Sequence, residues 1–331
     1  RVLDVLERRR PRYVILENVG NFERHDNGRT WQTVRQGLED LGYSVRGTEH
    51  KTSGGHGLIS PDDLGYPHRR ERFFAVASLG LLPADPFPRP LLPQPTSLAD
   101  IAQNNGDLTP RERSEACLTD LQVDCIEHWN EFLRRIPATT PLPSFPIWGD
   151  ELWHNYPFVG PSPQELSTTQ LARVLAGQPG SRATSRTDLL DRLPPYARRA
   201  ESEFPRWKAE FIRQNREFFG RVRRYLPSRW IDHLQGFPAS LRKLEWNCKG
   251  EKRDLWAHVL QFRPSGLRAK RYSASPALVA MTTTQVPILG PKRRFITRTE
   301  ALRLQGLPET LELPESRERA FAALGNAVHV G

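Results

Sequence analysis

Only three cysteines, Cys117, Cys125 and Cys248, occur among 331 residues. That is too few for a disulfide framework, and their spacing is not that of zinc ligands. No apolar run approaches the ~20 residues that a membrane-spanning helix requires, so no membrane partner is expected. Arg1-Val2-Leu3-Asp4 does not show the charged-then-apolar pattern of a secretory leader. Internal repeats and low-complexity tracts are lacking as well, which excludes solenoids and propellers. A reducing, cytoplasmic setting is the expectation.

Charge is plentiful but unevenly placed. The formal net charge is +10, yet residues 91–180 carry 5 basic and 11 acidic side chains, and residues 181–290 carry 22 and 10. The excess of one sign therefore sits in a single stretch. Arginine dominates there, as suits bidentate contact with phosphate or guanine. A solvated face on an ordinary enzyme is the plain alternative, and a polyanion-binding surface is the better reading.

Residues 1–90 read as α/β. Val2, Leu3, Val5 and Leu6 form a short amphipathic helix that stops before Pro11. Tyr13-Val14-Ile15-Leu16 is an apolar run of strand length, expected to be buried on both faces. Trp31, Val34, Leu38 and Leu41 recur at helical spacing before Gly42, residues 43–48 suit a strand, and Phe73 to Ala77 suit another. This alternation predicts an open, mainly parallel sheet. Six prolines between residues 82 and 97 then mark an exit linker. The next 180 residues are rich in Pro, Arg and Trp, with poor periodicity, and suggest loops on a modest scaffold. Order returns at Thr297-Arg298-Thr299-Glu300, which has the capping-box form, and in a helix over residues 316–324 that stops at Gly325.

Four short motifs carry chemical interest. Glu17-Asn18-Val19 closes a buried strand, where reactive groups of open parallel sheets gather. Pro67-His68-Arg69-Arg70-Glu71-Arg72 precedes the Phe73 strand, and Arg70 and Arg72 are placed to grip a phosphate together. The third motif runs from Arg294 through Thr297, Glu300, Arg303 and Gln305 to Pro308. The fourth is Gly325-Asn326-Ala327-Val328. Singly, each also reads as ordinary structure: a polar strand end, a charged loop, a capped helix, a helix terminus.

In this order and spacing, the series resembles the second half of the DNA (cytosine-5) methyltransferase family. The likeness covers residues 1–80 and 286–330. It implies the later part of a Rossmann-like methyltransferase sheet with an inserted, irregular target recognition domain. The expected division is a partial catalytic domain at 1–90, the recognition domain at 91–285, and a return to the catalytic domain at 286–331. The resemblance further implies transfer of a methyl group from S-adenosyl-L-methionine to C5 of a cytosine flipped out of double-stranded DNA. Glu17 would meet cytosine N3, with Asn18 fixing the strand end, and Arg70 and Arg72 would hold the flipped nucleotide. Asn326, Ala327 and Val328 would line the cofactor side, and Arg294, Thr297, Arg303 and Gln305 would lie at the DNA. No metal is implied. The family also implies a bacterial restriction–modification setting and a monomer when complete.

Two departures stand out. His68 occupies the place of the family's usual Gln, and no Pro-Cys dipeptide occurs anywhere in the chain. The three cysteines all fall in the recognition region and read as buried or incidental thiols. The Gly-rich cofactor loop is missing too. Gly54-Gly55-His56-Gly57 comes after Glu17 and is followed by no helix, so it reads as a flexible loop. The expectation is a chain whose nucleophile and most of whose cofactor site precede Arg1, and which is inactive alone. A recognition subunit of a split enzyme and a non-catalytic DNA-binding remnant are the alternatives.

Overall fold

The computed structural model describes residues 1–48, 57–84, 86–87, 96–175, 185–198, 202–279 and 283–329. Residues 54–56 of the glycine cluster, and much of the proline-rich stretch, lie outside them.

The N-terminal unit is a small α/β layer. Helix α1 (Val2–Arg9) ends where Arg10 turns left-handed at φ 49°. Strand β1 (Tyr13–Val19), helix α2 (Arg29–Asp40), strand β2 (Ser44–Gly47), the short β3 (His68–Arg69) and strand β4 (Arg72–Ser78) follow. The helical spacing of Trp31, Val34 and Leu38 aims one face of α2 at the sheet, where Leu6, Val14, Trp31, Leu38, Val45, Phe73 and Ala75 form the core. Gly47 permits this packing, because a Cβ there would stand 2.8 Å from both Trp31 and Phe73.

Two sequence expectations change here. The sheet order is β1-β4-β2, and β4 pairs antiparallel with both neighbours. Thus β1 and β2 run parallel, as their helical crossover requires, but a reversed strand lies between them. In addition, β1 is buried on one face only. Val14 packs inward, while Tyr13 (62% exposed) and Ile15 (72%) point outward, since α1 and α2 cover a single side of the sheet.

The middle of the chain is far more regular than expected. Helices α3 (Leu98–Ile101), α4 (Pro110–Ala116) and α5 (Asp120–Arg135) lead to strand β5 (Ile147–Trp148). Helices α6 (Thr168–Val174), α7 (Arg186–Asp191), α8 (Arg206–Val222) and α9 (Ser228–Gly236) come next. Strands β6 (Lys243–Asn247), β7 (Val259–Arg263), β8 (Gly266–Lys270), β9 (Ser275–Pro276), β10 (Ile288–Leu289) and β11 (Arg294–Phe295) complete the strand set. Helices α10 (Arg298–Leu304) and α11 (Arg317–Asn326) close it.

Six of these strands form one sheet, ordered β11-β10-β7-β8-β6-β5. Its inner face (Leu244, Trp246, Leu260, Phe262, Leu267, Ala269) joins Trp129, Phe132, Phe218 and Trp230 in the main core. Leu302, Leu304, Phe321 and Leu324 of α10 and α11 belong to that same core. Some prolines of this middle stretch stand at helix starts: Pro110 is the first residue of α4, after a Thr109 cap, and Pro205 and Pro227 precede α8 and α9. A separate small cluster under α6, α7 and α8 surrounds Tyr156, which is fully buried.

Candidate active site

The four motifs meet at one corner. Glu17 lies near the end of β1 on its outward face, and Arg72 at the start of β4 reaches diagonally across the pair, its Nε 2.8 Å from Glu17 Oε1. Neither side chain is fully covered, at 18% exposure for Arg72 and 29% for Glu17. Asn18 turns the other way, its Oδ1 accepting from the backbone N–H of Val19 at 2.8 Å. That bond is local to the strand end.

Arg70 is spent differently. It is 4% exposed, and its guanidinium donates to three carbonyls: Leu278 at 3.1 Å, Gly325 at 2.7 Å and Ala327 at 2.9 Å. Its own N–H donates to Ser60 Oγ at 2.9 Å. Arg70 and Arg72 therefore do not form a shared phosphate grip. Arg70 ties the last turn of α11 to the β3–β4 corner. This tie brings Val328 and His329 beside Arg70 and Arg72 around a cleft of about 280 Å³ whose floor is Ile15, Phe74 and Val76. Asn326 is exposed at the end of α11.

His68, in the motif's variant position, is fully buried. Burial first, and the charge of Arg70 second, hold its imidazole down to about 3, so it is neutral at ordinary pH. His329, next to it in the cleft, is lowered by the same two causes in the same order.

The third motif is interior. Arg294 is 5% exposed, and its Nη1 and Nη2 fork onto both oxygens of the fully buried Glu300 at 2.8 and 2.7 Å. Thr297 caps α10 by accepting from Glu300 N–H at 3.1 Å, while its own N–H donates to Glu300 Oε2 at 2.8 Å. Gln305 is fully buried and donates to the Leu324 carbonyl at 2.5 Å. The DNA contacts expected of Arg294, Thr297 and Gln305 are corrected accordingly: all three side chains are buried inside the protein. Arg303, partly exposed, pairs with Glu309 at 2.7 Å and donates to the Ile101 carbonyl at 3.0 Å.

A model of the C-5 cytosine-specific DNA methylase family matches residues 1–331. The chain belongs to this family. It is 32% identical to the Type II methyltransferase M.AluI of Cellulosimicrobium cellulans, over 99% of this chain and 70% of that protein. It is 30% identical to the Type II methyltransferase M.HaeII of Haemophilus aegyptius, over 38% of this chain and 39% of that one. The solved S. pombe Dnmt2 methyltransferase overlays with a TM-score of 0.36 at 14% identity, covering 99% of this chain and 66% of that one. The chain thus spans only part of the length of each of these relatives.

The mixed α/β layer of this methylase agrees with a Rossmann-like methyltransferase fold. Among its cysteines, Cys125 and Cys248 are fully buried, and burial pushes the Cys248 thiol up to about 12 and that of Cys125 higher still. Neither has the thiolate character of a nucleophile. No helix among the described residues is long and apolar enough to cross a membrane. Sequence reasoning missed the cations on the outer face of β7 and β8. Their signal was the strict alternation Gly266-Leu267-Arg268-Ala269-Lys270, overlooked inside a stretch of poor periodicity.

Proposed function

We propose that this methylase chain supplies the base-holding half of a DNA cytosine-5 methyltransferase site. The observation that carries this reading is the ion pair of Glu17 with Arg72, an arginine that itself lines the cleft closed by Val328 and His329. A flipped cytosine entering there would present its N3 edge to Glu17. Arg72 would fix the carboxyl group and lie within reach of the nucleotide's phosphate. Glu17 would hold a proton at N3, so that charge developing on the ring is met by a positioned group rather than by water.

For S-adenosyl-L-methionine the residues fit one wall. An exposed Asn326 amide beside apolar Val328 suits the edge of a nucleoside, and that wall is held by Arg70 through Gly325 and Ala327. When bound, the cofactor supplies the methyl group. Attack at cytosine C6 requires a thiolate in a context that Cys117, Cys125 and Cys248 do not provide. The expected role is therefore that of one part of the complete protein, with duplex DNA as its partner and a bacterial cytoplasm as its setting. The domain limits of 1–90, 91–285 and 286–331 belong to the same proposal.

The test is methyl transfer by the protein encoded by the whole open reading frame, measured on duplex DNA and located at C5 by bisulfite sequencing. Glu17→Gln should slow the transfer by ~10²–10⁴-fold, the usual range for a positioned acid or base. An unchanged rate removes Glu17 from the reaction.

A further inference from the structure

The inner face of the central sheet is apolar, but the outer face of its β7–β8 hairpin is not. Gln261 and Arg263 on β7, with Arg268 and Lys270 on β8, alternate onto that face, Gln261 standing opposite Arg268. The register is fixed at the turn. Gly266 adopts φ +125°, and a Cβ there would come within 2.6 Å of the Lys243 carbonyl oxygen. The hairpin therefore cannot slip by one residue and turn its cations inward.

The face is also tied to the candidate active site. Strand β9, which follows β8, pairs in parallel with β3, His68 opposite Ser275 and Arg69 opposite Pro276. As a result Arg69 and Glu71 of the β3–β4 corner share a cleft of about 290 Å³ with Gln261, Arg263, Arg268 and Lys270. Four cations face one carboxylate across it. Arg268 is neutralised by Glu245, to which its Nε donates. Among the described residues, Arg69 has only distant partners, Asp62 at 4.0 Å and Glu71 at 3.9 Å. Arg263 Nε is buried without a hydrogen-bond partner among the described residues. Burial, and then the charges of Arg268, Arg69 and Arg263, bias Lys270 towards losing its proton. Such a gathering of like charge is unfavourable until an anion occupies it.

We propose that this cleft is a seat for a backbone phosphate of duplex DNA, gripped by Arg69, Arg263 and Lys270. The proposal rests on the reading of the chain as a DNA methyltransferase part and adds the residues that position the duplex. Arg69 lies three residues from Arg72, so the seated phosphate would be near the nucleotide that enters the cleft lined by Arg72. Gln261, whose Nε2 donates to the Gln285 carbonyl at 2.8 Å, braces the wall and does not contact the phosphate.

The experiment is fluorescence anisotropy of a labelled duplex with the protein, across a series of salt concentrations. Each lost phosphate contact should lower the slope of log affinity against log salt by about 0.9. Arg263→Ala with Lys270→Ala should lower it by about 0.9, because both cations serve the one seated phosphate, while Arg263→Lys with Lys270→Arg keeps it. Arg213→Ala, which removes a cation already paired with Glu210 and Glu217, should leave the slope unaltered. Circular dichroism melts check folding. If the double alanine variant is unfolded, Lys270→Gln and Arg263→Gln decide singly, each expected to lower the slope by up to about 0.9. A wild-type slope in the folded alanine variants overturns the seat, and continued methyl transfer by the complete protein then leaves its function standing. Absence of any salt-dependent duplex binding by the wild type overturns both.

Discussion

Replacing Arg294 with methionine should damage stability and leave DNA affinity untouched. The arginine's fork holds Glu300 at 2.8 and 2.7 Å, with exposures of 7% and 0% for the two side chains. It also reaches Asn105 Oδ1 at 2.8 Å and the Gln103 carbonyl at 2.9 Å, joining α10 to the segment after α3. Without it, Glu300 is a buried carboxylate that keeps only the N–H donors of Gln103 and Thr297. Breaking a buried pair from one side costs about 3–5 kcal/mol, and the two retained donors favour the lower end. Removing both charges together, as Arg294→Met with Glu300→Leu, should recover much of that loss, because the desolvation cost disappears with them. Urea unfolding followed by tryptophan fluorescence reads both variants, since Trp129 and Trp230 lie in the same core. A loss below about 1 kcal/mol, with a salt slope of duplex binding lowered by about one unit, would mean that Arg294 faces DNA and that the interior assignment is wrong.

Two further outcomes concern the β3–β4 corner. Arg70→Lys removes a fork that reaches three carbonyls, contacts of a kind worth about 1.5–3 kcal/mol each when charged. Amide exchange over residues 325–329 should then quicken by ~10–100-fold or more, and unchanged exchange would deny Arg70 its tying role. His68 has its folded pKa near 3, against 6.5 in the unfolded chain. The unfolded chain therefore takes up the proton first as pH falls, and stability is lost between pH 6.5 and 3 at up to about 1.4 kcal/mol per unit. Between pH 7 and 5 the wild type should lose about 2 kcal/mol more than His68→Gln. Equal losses would show that the imidazole is not buried as neutral.

What could be read in advance was local. The spacing of Trp31, Val34 and Leu38, the Thr297 capping box and the Phe73 strand all rest on interactions within a few residues. The direction of β4 was hidden, because pairing with β1 and β2 is settled by tertiary contact and not by the strand's own residues. The middle was misjudged because its strands are short, two residues in β5 and β10, and because Pro110, Pro205 and Pro227 stand at helix starts. Among the site residues, the Glu17–Arg72 pair joins two motifs that the sequence treated separately. Arg70, Arg294 and Gln305 look in sequence like any surface cation or amide. Only the course of the chain shows that they are enclosed.

The fastening of this corner also bears on the order in which the molecule can be made. Arg70 is separated from Leu278 by 208 residues, and from Gly325 and Ala327 by 255 and 257. Contacts of such long range form late, because a large loop must close before they return any energy. During synthesis the N-terminal layer can fold as it emerges, but the ring of carbonyls around Arg70 has to wait for nearly all of the described chain. Until then Arg70 lacks the carbonyls that hold its guanidinium, and the cleft beside Glu17 lacks the wall formed by Val328 and His329. A half-made molecule therefore cannot offer a finished base-holding cleft.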